Sequence, residues 1–372
     1  MRDEYRAREC CAYRASHKNM EWRTVVIIVL VVSLCFFIIP IRVGPDKNFE
    51  DAKLFAEYVT RYNKSYKNNP VEYKQRLEHF QRSLRHIEKM NSFRSSQESA
   101  HYGLTEFSDL SENEFKERAL LSDLPLRSQK HTTASYYYQH TSDSIDHTKR
   151  ATMPPKIDWR EKGVVGPVLS QESCGACWAF STIGMAESMY AIKNGSFYSF
   201  SVQEMIDCMP GDYGCQGGDI CSLLSWLVES KTTIVSASAY PLTLRDDACT
   251  LSKKISAKTS GIRIKDFTCD SFVNAESKLL TRLFTHGPVA AAVNAISWQN
   301  YLGGVIQYHC DSSFDSLNHA VQIVGYDLTA SIPHYIVKNS WGPTFGNKGY
   351  LYIAIGKNLC GIVNQVSSLD VV

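Results

Sequence analysis

Cys177, His319 and Asn339 supply a thiol, an imidazole and a carboxamide, the three groups that acyl transfer through a thioester requires. The thiolate attacks a carbonyl, the imidazole takes the proton and returns it to the leaving amine, and a third group fixes the imidazole's tautomer. His319 lies 142 positions after Cys177, and Asn339 lies 20 after His319. Gln171, six positions before Cys177, adds a side-chain amide that can join the Cys177 backbone N–H as an oxyanion donor. Losing one such donor costs on the order of 2.7–4 kcal/mol of transition-state stabilisation. The chemistry expected is peptide-bond hydrolysis without a metal or an organic cofactor. Each residue also has a plainer reading: His319 as a core histidine, Asn339 as a turn residue, and Cys174-x-x-Cys177 as a redox pair or half a zinc site. The zinc or redox reading requires a second Cys-x-x-Cys or a Cys/His cluster at ligand spacing, and the sequence has neither.

The elements that must hold these groups are partly legible. A turn of small residues precedes the apolar-periodic run Trp178, Ala179, Phe180, Ile183, Met185, Ala186 and Met189, which predicts a buried helix with Cys177 in its first turn. The positive end of a helix dipole favours a thiolate there. Cys174-Gly175-Ala176-Cys177-Trp178 fits the nucleophile pattern C-G-[SA]-C-[WY] of papain and cathepsins, and the spacings to His319 and Asn339 agree with it. Leu317-Asn318-His319-Ala320-Val321 and Tyr335-Ile336-Val337-Lys338-Asn339-Ser340-Trp341-Gly342 also resemble the papain-like cysteine peptidases. The resemblance implies that Trp341 shields the Asn–His hydrogen bond from water, the alternative being an ordinary core tryptophan. It implies an α+β, two-lobe fold, with Cys177 on a helical lobe and His319 and Asn339 on a β-barrel-like lobe. Short β-type runs at 289–293, 320–324, 334–337 and 350–355 agree with such a second lobe.

Length and charge bound the rest. The chain has 372 residues, 44% of them apolar, and a net charge of +2. Residues 1–45 carry 7 basic against 4 acidic groups, 46–153 carry 17 against 16, and 154–372 carry 16 against 18. No segment has the basic excess that nucleic-acid binding requires. Residues 1–24 read as a cytoplasmic tail and 25–41 as an uncleaved transmembrane signal anchor, near the lower length limit for a span. A cleaved signal peptide followed by secretion is the alternative.

Residues 46–122 read as a helical prodomain. Glu72, Arg76, Phe80, Ile87 and Asn91 fall on one helical stripe. They resemble the family's propeptide motif E-x3-R-x3-F-x2-N-x3-I-x3-N, with Ser83 in place of its first Asn. Gly103-Leu104-Thr105-Glu106-Phe107-Ser108-Asp109 resembles G-x-N-x-F-x-D, with Thr105 for Asn. The implied role is an inhibitor in cis, a prodomain whose tail lies through the cleft until it is removed. Residues 123–153 read as an exposed activation linker, and 154–372 as the peptidase domain. A lysosomal endopeptidase acting on proteins and peptides, monomeric and open to cystatin-type inhibitors, is the activity implied. A catalytically silent relative that uses its cleft for binding is the alternative.

Nine cysteines follow the apolar run. The resemblance implies the pairs Cys174–Cys215, Cys208–Cys249 and Cys310–Cys360, while Cys221 and Cys269 are expected to stay reduced, with a bridge between them as the alternative. Asn63 and Asn194 begin glycosylation sequons. Gly217 and Gly218 match the family's cleft wall, where glycines let an extended substrate approach the backbone. By motif, Ile220, Ala292, Leu317 and Gln365 line the pocket for the side chain preceding the scissile residue, which is expected to be bulky and apolar.

Overall fold

The computed structural model describes residues 22, 26, 47–121, 153–211, 214–251 and 261–372. The expected tail 1–24, apart from Trp22, and all but Val26 of the expected anchor 25–41 lie outside the described residues, as do 123–152 of the linker. Among the described residues no helix is long and apolar enough to cross a membrane. The chain divides into two compact units, 1–57 and 58–372.

Helix α1 (Lys47–Arg61) begins in the first unit and ends in the second. Helix α2 (Pro70–Ser92) starts with Pro70 at its first turn and the Asn69 side chain accepting from Glu72 N–H, which satisfies a donor the helix itself leaves free. The stripe foreseen in α2 holds the segment after it. Phe80 is fully buried, Arg76 reaches Glu114 and the Asp109 carbonyl, and Asn91 both donates to and accepts from the Tyr102 backbone. Strand β1 (His101–Tyr102) follows, then helix α3 (Glu112–Ala119), opened by a complete capping box between Ser111 and Glu114. The two departures from the family motifs are accommodated. Ser83 is buried, and Thr105 donates to the Gln299 carbonyl while accepting from Phe107 N–H.

The remainder opens with strand β2 (Lys156–Asp158) and helices α4 (Cys177–Asn194), α5 (Val202–Cys208) and α6 (Ile220–Glu229). Short strands β3 (Ile234–Val235) and β4 (Gly261–Ile262) pair with each other. The β half comprises β5 (Ile264–Asp270), helix α7 (Glu276–Thr285), β6 (Val289–Val293), β7 (Tyr301–Gly303), β8 (Val305–Ile306), β9 (His319–Asp327), β10 (His334–Lys338), β11 (Tyr350–Ala354) and β12 (Val366–Val371). The main sheet runs β5-β12-β6-β9-β10-β11-β8, with β2 added beside β9. Helix α7 interrupts the β pattern because Leu279, Leu280 and Leu283 fall at helical spacing and are buried.

Two cores result. One fills the helical lobe around α4 and includes Trp178, Met185, Met205 and Leu223. The other fills the β lobe and continues into the propeptide, where Met90, Tyr102, Phe107, Leu110, Phe115 and Leu120 pack with Trp298, Tyr301 and Trp341. Strand β1 also pairs antiparallel with β7. The segment 58–121 is thus joined to the β lobe both by backbone pairing and by shared apolar burial.

Bridges Cys174–Cys215, Cys208–Cys249 and Cys310–Cys360 are formed. The expectation of reduced Cys221 and Cys269 is corrected, because they form a fourth bridge. Packing of α6 on β5 brings their Cα atoms to 6.1 Å, inside the range a disulfide spans. Spacing along the chain carries no sign of that approach. Cys177 alone among the described cysteines is free. Asn63 and Asn194 are both exposed.

Candidate active site

Helix α4 starts at Cys177 after the turn Gln171–Ala176, and it is buried on nearly every face. Cys174–Cys215 pins that turn, and Gly175 donates to the Cys215 carbonyl at 2.6 Å. A Cβ on Gly175 would sit 2.7 Å from the same oxygen, so only glycine permits this approach. Gly217 on the same wall has φ +136°, a conformation L side chains rarely adopt.

His319 opens β9, and Asn339 follows β10 directly. Because β9 and β10 are antiparallel neighbours, residues 20 positions apart meet. His319 Nε2 and Asn339 Oδ1 are 2.7 Å apart, and the same oxygen accepts from Ser340 N–H. This leaves His319 Nδ1 buried with no hydrogen-bond partner. The Ala320 backbone N–H, next in the chain to His319, acts to lower the Cys177 thiol pKa. The indole of Trp341 lies 4.9 Å from the imidazole and that of Trp298 lies 6.0 Å away at a near-perpendicular angle. Together they exclude water from the His319–Asn339 bond. Trp298 carries no motif, and sequence reading missed it.

Gln171 is fully buried. Its Oε1 accepts from Ser340 Oγ, and its Nε2 donates to the Cys174 carbonyl at 3.0 Å and to the Ala119 carbonyl at 3.4 Å. Trp341 Nε1 donates to the same Ala119 carbonyl at 3.2 Å. Leu121 N–H donates to the Asn318 carbonyl at 2.8 Å, directly before His319. Ala119 and Leu120 are buried, so the end of the propeptide occupies the cleft by main-chain contacts. Residue type gives no hint of these contacts, since backbone groups are common to every residue.

Burial sets the electrostatics. A helix N-terminus alone lowers a thiol's pKa, but desolvation outweighs the backbone N–H groups here and pushes Cys177 up to about 12. Burial likewise pushes His319 down to about 4, against a smaller opposing contribution from Asn339. Between those values thiol and imidazole are both neutral. A thiolate–imidazolium pair requires the cleft to be open to water.

The expected pocket residues converge only in part. Gln365 donates to Asp219 Oδ2 at 2.9 Å and to Cys221 Sγ at 3.4 Å, the residues on either side of Ile220. Its carbonyl accepts from Ala292 N–H at 3.0 Å. Ile220, Leu317 and Gln365 are buried, and Leu317 packs toward Gly361. Gly218 and Ala292 are partly buried.

Residues 153–369 match the papain family cysteine protease and residues 55–115 match the cathepsin propeptide inhibitor domain. Cathepsin O of Homo sapiens is 39% identical over 293 residues, 78% of this chain and 87% of that protein. Cysteine proteinase 1 of Dictyostelium discoideum is 31% identical over 367 residues, covering 92% of this chain and 98% of its own length. Among solved structures, the recombinant stem bromelain precursor superposes with a TM-score of 0.71 at 30% identity, over 86% of this chain and 99% of that one. Digestive procathepsin L 3 of Tenebrio molitor does so with a TM-score of 0.69 at 28% identity, over 86% and 99%.

Proposed function

This chain belongs to the papain family of cysteine proteases, and on that premise we propose that it is a lysosomal cysteine endopeptidase made as a zymogen, with Cys177 as nucleophile, His319 as base, Asn339 as its orienting partner and Gln171 as an oxyanion donor. The observation that carries the reading is the Ala119 carbonyl against Gln171 Nε2 and Trp341 Nε1. The propeptide main chain thus engages Gln171 Nε2, the side-chain amide proposed as an oxyanion donor. Removal of residues 46–122 and the linker frees those donors and wets the thiol and imidazole. Cys177 then attacks, the His319 proton goes to the leaving amine, and water hydrolyses the thioester. Residues 25–41 are read as a signal anchor for the precursor, and cleavage in 123–153 would release a soluble enzyme. Exposed Asn63 and Asn194 suit glycosylation in the lumen of the secretory pathway.

The test is labelling with an epoxide that traps active-site thiolates, before and after acid processing, with Cys177→Ala as control. Modification of Cys177 that appears on processing and tracks loss of peptide hydrolysis is expected. Correctly folded, processed protein with Cys177 unlabelled would reject the peptidase reading. A cleavage profile against an unbiased peptide library is expected to favour bulky apolar side chains before the scissile residue, and a preference for Arg or Asp there would reject the assigned pocket.

A further inference from the structure

A cavity of about 190 Å³ lies between helix α4 and strands β9 and β10, and no propeptide residue lines it. Its wall is apolar at Leu169, Phe200 and Val202 and polar at Glu187, Gln322 and Lys338. Each polar group is incompletely satisfied. The Lys338 ammonium makes no hydrogen bond or ion pair with any described residue; burial pushes its pKa down, and Glu187 across the gap opposes that only in part. Glu187 Oε1 accepts from Phe200 N–H, and its other oxygen has no hydrogen bond. Gln322 spends its Nε2 on the Gly184 carbonyl and Ser188 Oγ, while its Oε1 is buried without a partner.

Unpaired buried charges and acceptors are costly, and native structures normally meet them with water or a ligand. Ser181, Ser199, Asn339 and Ser340 also line the space, but an ordered water needs two to four polar partners, and water alone leaves the apolar stretch at Leu169, Phe200 and Val202 uncovered. The volume is comparable with that of an engineered cavity of ~150 Å³ that binds benzene, the scale of one small amino acid. A cation fits Glu187, an anion fits Lys338, and an aliphatic group fits Leu169, Phe200 and Val202.

We infer that this cavity is a binding site for a free aliphatic α-amino acid. The ligand's ammonium donates to Glu187, its carboxylate accepts from Lys338, and its side chain covers the apolar wall. Leu169 is 43% exposed and marks the mouth. Ala320 and Asn339 share the wall, so an occupant rests against the residues that adjoin His319. Amino acids are the final products of protein breakdown, and the site would sense their accumulation.

The experiment is a thermal shift on the full-length Cys177→Ala chain, run as a pH series through and above neutrality because burial pushes the Glu187 carboxyl up to about 7 and the Lys338 ammonium down. Three probes of matched shape are compared: L-leucine, 4-methylpentanoate and isopentylamine. Leucine at ten times its Kd is expected to raise Tm by about 2–4 °C, and the acid or amine to raise it less than half as much. Lys338→Met removes leucine's advantage over the amine, and Leu169→Trp at the exposed mouth abolishes the shift. No shift with any probe, a shift that survives Leu169→Trp, or an acid as effective as leucine would each overturn the inference. No turnover is read, so the outcome is independent of the peptidase reading.

Discussion

Replacing Phe115 with alanine isolates what holds the cleft shut. Phe115 is fully buried in α3, and its ring meets Trp341 at 5.5 Å and Phe107 at 5.4 Å. Trp341 in turn lies on His319. Truncating a buried Phe costs about 3–5 kcal/mol, and its aromatic contacts are each worth about 0.5–1.5 kcal/mol of specific geometry. Phe115 packs across the junction of propeptide and β lobe, so the loss falls on the closed arrangement. A change of about 3–5 kcal/mol raises the open fraction by roughly 10²–10⁴-fold. The assay is the rate at which the thiolate-trapping epoxide labels Cys177 in unprocessed full-length protein at neutral pH, since that rate follows the open fraction. Glu117→Ala, at an exposed position on the same helix, is the control and should leave the rate unchanged. A Phe115→Ala rate equal to wild type, with normal labelling after processing, would refute occlusion as the source of latency.

Gln171→Ala in the processed enzyme is expected to lower kcat by about 10²–10³-fold, measured on a peptide substrate with KM followed separately. For the zymogen, the fall of His319 from 6.5 to about 4 means that neutral imidazole is favoured by burial. Its contribution, about 3 kcal/mol by linkage, is present above pH ~6.5 and is lost as pH drops towards about 4. Chemical denaturation across that window should show the loss in wild type and a smaller one in His319→Gln. Glu204 has the opposite sign: it is buried, its Oε1 has no partner, and burial pushes it up to about 8. Stability from its neutral form is present below about 4.5 and is lost as pH rises through about 8, so Glu204→Gln should raise Tm at alkaline pH and change it little in acid. Cys221→Ser with Cys269→Ser opens a loop of sequence separation 48 and should cost about 4 kcal/mol on the chain-entropy model, read as a lower denaturation midpoint.

Much of this protein is decided by local sequence. The buried helix from Cys177 follows from its apolar-periodic run, and the propeptide helix over 70–92 follows from its stripe and from Asn69 and Pro70 at its start. Strands near 289–293, 320–324, 334–337 and 350–355 follow from short apolar runs, and observed strands overlie each of them. The types and spacings of Cys177, His319, Asn339 and Gln171 define a chemistry, because few functions use that set in that order.

Other features depend on approach in space, which spacing does not encode. The Cys221–Cys269 bridge exists because α6 packs on β5. Trp298 reaches His319 because a 3₁₀ turn after β6 aims its ring there. The neutral thiol and imidazole are products of burial, a sum over all neighbours that reverses what a helix N-terminus alone would do to Cys177. The Ala119 carbonyl and Leu121 N–H enter the cleft as backbone, which every residue possesses and no motif can mark. Glu187, Gln322 and Lys338 sit on one helix and two strands, far apart in the chain, and only the packing of α4 against β9 and β10 sets them around a common cavity.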